Sequence, residues 1–169
     1  MIVRAAAKAD LPGILDIYND AVLNTTATAD YEVQSMTARA EWLATRQRLG
    51  LAVLVAEEEG QVVGWSSLSP YQPRYGYRFT AEDSVYIAAD WRGRGVGKLL
   101  LSALVDESRG AGLHSLIAKI DCQNTASIRL HTGCGFEQVG LLKQVVYKFD
   151  RWLDVAYLQL MLDGGEPNG

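Results

Sequence analysis

Glycine stands at every second position of Arg92-Gly93-Arg94-Gly95-Val96-Gly97, and the residues on either side leave few ways to fold such a run. Before it, Val85, Tyr86 and Ile87 are β-branched or aromatic and suit a buried strand. After it, Val96, Leu99, Leu100, Ala103 and Leu104 recur at the three-and-four spacing of an amphipathic helix. Ser84 to Leu101 therefore reads as strand, tight turn, helix. Glycines tolerate positive φ and let another group approach the main chain, so the amides of this turn can converge at the helix start. Unpaired N–H groups, the positive end of the helix dipole and the charges of Arg92, Arg94 and Lys98 make an anion site, with a phosphate or pyrophosphate as the expected occupant.

Spacing sorts the phosphate loops. The GxxxxGK[ST] loop fails, because Arg92 rather than glycine lies five before Gly97, and Leu99 follows Lys98 where a magnesium-binding hydroxyl belongs. The GxGxxG dinucleotide fingerprint fits poorly, because Lys98 occupies the place of the last glycine. Arg-x-x-Gly-x-Gly, at Arg92, Gly95 and Gly97, is matched in full; a glycine-rich turn that binds nothing is the alternative.

A chain of 169 residues, 49% hydrophobic and 21% charged, is ordinary globular material of about one domain. Its net charge of −4, with no basic stripe beyond the arginine loop, argues against general affinity for nucleic acid. Met1 to Arg4 lacks the regions of a signal peptide, and no apolar run approaches the ~18 residues of a membrane span. The expected location is cytoplasmic, with no membrane partner and with Cys122 and Cys134 reduced. Neither those cysteines nor His114 and His131 have zinc spacing, so no metal is expected.

In chain order, Ile2 to Ala5 suits a strand, and Asp10 and Pro12 suit the start of a helix whose face is Leu11, Ile14, Leu15, Tyr18 and Val22. Asn24 to Tyr31 reads as a loop. Thr37 is placed to cap a second helix running to Leu49, followed by Leu51–Glu57 and Gln61–Leu68 as a hairpin. Pro70 to Phe79 is a loop rich in aromatics and arginine that can fold over a ligand. His114–Ile120 completes a βαβ crossover. Asn124 can cap the next helix, and Phe136–Val139, Gln144–Phe149 and Asp154–Leu162 read as strands.

The Arg92-Gly95-Gly97 pattern resembles the acyl-coenzyme A pyrophosphate loop of the GNAT superfamily of N-acetyltransferases. Asn124 to His131 followed by Gly135-Phe136 resembles that superfamily's second cofactor element. Within it the chain is similar to the phosphinothricin and methionine sulfoximine N-acetyltransferase group, in Ile17–Val22, Asn24–Ala27, Glu82–Ile87, Ser127–His131 and Lys148–Asp154. Cys134 stands where leucine is usual, and Tyr31-Glu32 where relatives tend to carry tryptophan or phenylalanine.

The resemblance implies a single α/β (α+β) domain over residues 1–162, with a mixed, mostly antiparallel sheet flanked by helices; the tail over 163–169 reads from the chain itself as flexible. It implies acetyl transfer from acetyl-CoA to the α-amine of a small amino-acid analogue by direct attack in a ternary complex, with a homodimer as the assembly. Acetyl transfer to a protein N-terminus or other small amine, and a non-catalytic acyl-CoA sensor, are the alternatives.

Glu82 shares a strand face with Ser84 and Tyr86 and is the candidate base; a solvated carboxylate at a strand start is the competing reading. His131 stands where many members carry a proton-donating tyrosine, and a histidine bonded within its own helix fits equally. Val85, Tyr86, Ile87, Arg92, Gly93, Arg94, Gly95, Val96, Gly97, Lys98, Asn124 and Ser127 are the cofactor candidates; the backbone groups of Ile87 and Ala89 matter more than their side chains, and the Ile87 N–H can polarise the thioester carbonyl. Arg78, Tyr75 and Tyr77, with Glu82, Thr26 and Tyr31, are the substrate candidates, the arginine as a carboxylate clamp or as a solvated loop residue.

Overall fold

The computed structural model describes residues 1–162, so the expected tail over 163–169 lies outside the described residues. The strands are β1 (Ile2–Ala5), β2 (Val53–Glu58), β3 (Gln61–Pro70), β4 (Thr80–Ile87), β5 (Ser115–Asp121), β6 (Glu137–Lys148) and β7 (Arg151–Met161). The helices are α1 (Leu11–Asn24), α2 (Met36–Arg48), α3 (Val96–Gly110) and α4 (Thr125–Gly133). The strands form one sheet in the order β1-β2-β3-β4-β5-β7-β6. Every neighbouring pair is antiparallel except β4 and β5, which the α3 crossover joins in parallel. This is the mixed, mostly antiparallel sheet with flanking helices that the sequence led us to expect.

Strand alternation divides the core. Leu54, Leu68, Leu116 and Leu158 turn to one face, where Leu100, Leu101 and Leu104 of α3 lie fully buried against them. Each such leucine contributes about 1.5–3 kcal/mol by leaving water. Val53, Val55 and Trp65 turn to the other face, under Ile14, Tyr18 and Val22 of α1 and Leu43 of α2. Ile17, rather than the expected Leu15, completes the buried stripe of α1. Arg39 of α2 is 1% exposed, and its guanidinium lies 4.1 Å over the Tyr18 ring and 4.6 Å over Trp42. Aromatic faces take the place of a carboxylate there, and burial pulls the Arg39 pKa below its ordinary value.

Three local readings differ from the observed structure. Ser35, not Thr37, caps α2, its hydroxyl accepting the Ala38 N–H at 3.1 Å, because α2 begins two residues earlier than expected. Asp10 precedes α1 but does not cap it: its carboxylate accepts the Ala7 N–H and pairs with Arg4 at 2.7 Å, while Pro12 sits in the first turn. The two strands expected between Phe136 and Phe149 are one, β6, which bends at an irregular register around Gln144 and pairs with β7 along its length.

Candidate active site

β4 and β5 pair only from Thr80–Ser115 to Glu82–Ile117, and then part. The remainder of β4 keeps β3 on one side and has no strand on the other. The Ala88 N–H bonds the Val63 carbonyl at 3.0 Å. By alternation along the strand, the N–H groups of Ile87 and Val85 face the opposite edge, into the gap. A cleft of about 1200 Å³ fills that gap. It is bordered by Asp83, Val85 and His131 from the α3 face of the sheet and by Glu82, Tyr86 and Lys119 from the α1 face, so it passes through the sheet.

At one end of the cleft lies the glycine turn. Gly93 (φ 75°) and Gly95 (φ 85°) occupy the left-handed region that other residues rarely adopt. The first intrahelical bond of α3 runs from the Leu99 N–H to the Gly95 carbonyl at 3.2 Å. The amides of Val96, Gly97 and Lys98 therefore have no acceptor within the helix. A Cβ on Gly97 would lie 3.0 Å from the Leu130 side chain, so glycine here lets α4 close on the start of α3. Arg92 donates from Nε to the Ile87 carbonyl at 3.2 Å and lies 3.4 Å from Asp20. Arg94 stacks 5.0 Å from Trp91, and the Val96 side chain is turned into the core. Asn124 caps α4 as expected, its Oδ1 accepting the Ser127 N–H at 3.1 Å, and both residues border the cleft.

His131 and Asp83 form a buried pair, 3% and 6% exposed, on the α4 side of the gap. The histidine donates from Nε2 to Asp83 Oδ2 at 2.9 Å and from Nδ1 to the Ser127 carbonyl at 2.8 Å. A carbonyl can only accept, so Nδ1 carries a hydrogen, and the carboxylate favours one on Nε2 as well. Burial pulls the His131 pKa down, but the hydrogen bond and charge of Asp83, helped by the Ser127 carbonyl, outweigh it and the pKa is raised. Of the two readings of His131 from sequence, the bond within its own helix is present, and the residue also borders the cleft.

On the other face, Lys119 Nζ lies 2.6 Å from Glu82 Oε2. The Asn24–Tyr31 loop is tied down over this region. Thr26 Oγ1 donates to Asp121, Lys148 Nζ donates to the carbonyls of Thr25 (2.9 Å) and Thr28 (2.8 Å), and the Tyr86 hydroxyl donates to the Ala27 carbonyl at 3.3 Å. The Tyr86 ring stacks on Trp65 at 4.7 Å, and burial raises its phenol pKa.

The structure brings Glu82, His131, Thr26, the β4 edge, Arg92, Gly93, Gly95, Gly97 and Lys98 of the glycine turn, Asn124 and Ser127 to one cleft, which the side chains of Arg94 and Val96 do not border. It sets the others apart. Tyr31 donates to the Tyr147 carbonyl and borders a second hollow of about 900 Å³ beside α2. Tyr75, Tyr77 and Arg78 border neither hollow; Arg78 stacks over Tyr75 at 4.2 Å and Phe79 at 4.3 Å. Sequence reasoning missed Lys119 and the role of Asp83. The signal for Asp83 was its place in β4 one residue from Glu82, hence on the opposite face, toward α4. Lys119 had none short of the β4–β5 register.

Residues 13–136 match the acetyltransferase (GNAT) family. The chain is 48% identical over 162 residues to the L-methionine sulfoximine/L-methionine sulfone acetyltransferase of Pseudomonas aeruginosa, covering 95% of this chain and 94% of the relative. A Salmonella typhimurium acetyltransferase structure with its cofactor acetyl-CoA superposes with a TM-score of 0.96 at 43% identity, over 99% of this chain and 97% of the other. A phosphinothricin acetyltransferase from Sinorhizobium meliloti in complex with acetyl-CoA gives 0.95 at 38% identity, over 99% and 92%.

Proposed function

The chain belongs to the GNAT family of acetyltransferases, and from that premise we propose that it acetylates the α-amine of a small amino-acid analogue of the methionine sulfoximine, methionine sulfone or phosphinothricin type. One observation carries the reading: a single cleft runs from the free amides at the start of α3, along the open edge of β4, to the Glu82 carboxylate.

The residues present fit acetyl-CoA as co-substrate. The amides of Val96, Gly97 and Lys98, with the charges of Arg92 and Lys98, suit a pyrophosphate, and the unpaired N–H groups of Val85 and Ile87 suit an extended amide chain laid beside β4. Bound there, acetyl-CoA supplies the acyl group as a thioester. The Ile87 N–H is the donor for the acyl carbonyl, where negative charge develops. Glu82 would take the first proton that the substrate ammonium must lose, directly or through one water; as the amine nitrogen bonds the acyl carbon the C–S bond would break, and coenzyme A would leave as the thiol, carrying the second proton given up by that nitrogen. Asp83 and His131 fasten α4 to β4 on the cofactor side of the gap, with both imidazole N–H groups engaged inside the protein.

Two further points belong to the proposal. The assembly is a homodimer, supported by β6 at the sheet edge, where Val139, Leu141 and Val145, with Trp152 on β7, expose apolar side chains. The location is the cytoplasm; among the described residues no helix is long and apolar enough to cross a membrane.

The test is thiol release on mixing the protein with acetyl-CoA and a panel of amines. Release with methionine sulfone, methionine sulfoximine or phosphinothricin, and little with short peptides, is the expected result. Release with no amine contradicts the reading.

A further inference from the structure

Glu82 and Lys119 face each other across the mouth of the gap. The parallel register sets Glu82 beside Ile117, and Lys119, two residues further along β5, turns to the same face. Their side chains are 26% and 36% exposed, so the pair is half-buried on the wall of the cleft and still within reach of a ligand. Among the described residues neither has another charged partner at ion-pair distance. The phenols of Tyr71 and Tyr157 are the other titratable groups near Lys119; burial lowers its pKa, but the hydrogen bond and charge of Glu82, with those phenols, raise it overall. Asp121, the next residue on that face of β5, is taken by the Thr26 hydroxyl and the Gln123 N–H and does not compete.

The wall therefore presents a positive and a negative charge side by side. A free α-amino acid presents the same pair, an ammonium and a carboxylate on one carbon. Resting on the function proposed above, we propose that Lys119 receives the α-carboxylate of the amine substrate, so that Lys119 and Glu82 together read the zwitterion: carboxylate against the lysine, ammonium against the glutamate.

The four charges then alternate around the site, and the lysine that neutralised Glu82 is handed to the substrate's own carboxylate. Glu82 is left facing the ammonium whose proton it takes. A peptide N-terminus, an amino-acid amide or a simple amine has no carboxylate on that carbon. Such a ligand sets a second cation against Glu82 while Lys119 still holds it, and like charges at one carboxylate repel. The ligand class selected is the free α-amino acid, whatever its side chain.

The experiment compares kcat/KM for methionine sulfone and for its α-carboxamide, in the unaltered protein and in Lys119→Met and Lys119→Arg. The unaltered protein is expected to favour the free acid by about 10- to 100-fold, mainly through KM, the range of a hydrogen bond to a charged group. The amide's amine is the more easily deprotonated, so amine basicity works against this preference and cannot produce it. Lys119→Met should bring the ratio close to one, and Lys119→Arg should restore most of it. A ratio near one in the unaltered protein overturns the proposal, as does a preference that survives in Lys119→Met. If Lys119→Met does not fold, the ratio in the unaltered protein and in Lys119→Arg decides alone. If no compound releases thiol, the acetyl-transfer reading falls by itself, and calorimetric binding of the same acid and amide still decides this one.

Discussion

Replacing Glu82 with glutamine lowers the rate of thiol release at neutral pH by about two to four orders of magnitude, the usual contribution of a positioned base. Glutamine keeps the size of the side chain and can still accept a hydrogen bond, but it takes no proton from an ammonium. Acetyl-CoA binding should hold within a few-fold, because the glycine turn and the free β4 edge lie further along the cleft than Glu82. The pH profile separates this from a structural effect. In the variant the residual rate should climb with pH as the amine sheds its proton to water, while the unaltered enzyme shows less dependence over the same range. Steady-state kinetics across pH checks both points; an unaltered rate at neutral pH removes Glu82 from the mechanism.

Breaking the buried Asp83–His131 pair has the largest effect expected on stability. His131→Leu leaves a carboxylate 6% exposed without its cation, and Asp83→Leu leaves a buried imidazole without its anion. Either change should cost about 3–5 kcal/mol in urea denaturation, whereas the double Leu variant recovers much of the loss, since a well-packed apolar pair is often no worse than a buried ion pair. The pH dependence has a definite sign. Because the folded pKa of His131 lies above its ordinary value of 6.5, the pair's contribution is complete below the unfolded pKa and is lost as pH rises through the folded one. The urea midpoint of the unaltered protein should therefore fall as pH rises above the ordinary histidine value of 6.5 and through the raised folded one, relative to the double variant, in which this group no longer titrates. Single variants as stable as the unaltered protein, or a difference between the two that does not change with pH, would refute the assignment.

What was legible in the sequence was what is decided locally. The alternation of Val85 and Ile87, the glycines at 93 and 95 and the helical stripe of Leu100 and Leu104 each act over a few residues, and they form the strand, turn and helix read from them. Asn124 caps its helix as read. Where two candidates sat close together, as Ser35 and Thr37 did, the choice depended on which backbone N–H groups the start of α2 leaves free. Asp10 was drawn from its cap by Arg4, itself held by Glu57 of β2, a contact 53 residues away in sequence. The Lys119–Glu82 pair is of this second kind. It follows from the β4–β5 register, which the core beneath the sheet sets and no short pattern announces. Arg78 was the opposite case: an arginine among aromatics suggested an anion clamp, and the same aromatics are what it stacks on.

The central claim is that the free edge of β4 beyond Glu82 holds an acyl-coenzyme A. Amide hydrogen exchange, resolved by residue, with and without coenzyme A tests it most directly. The account predicts that coenzyme A slows exchange at Val85 and Ile87 and at Val96, Gly97 and Lys98, and leaves Tyr86, whose N–H faces β3, little changed. Tight binding with no added protection at Val85, Ile87 or the start of α3 would contradict it.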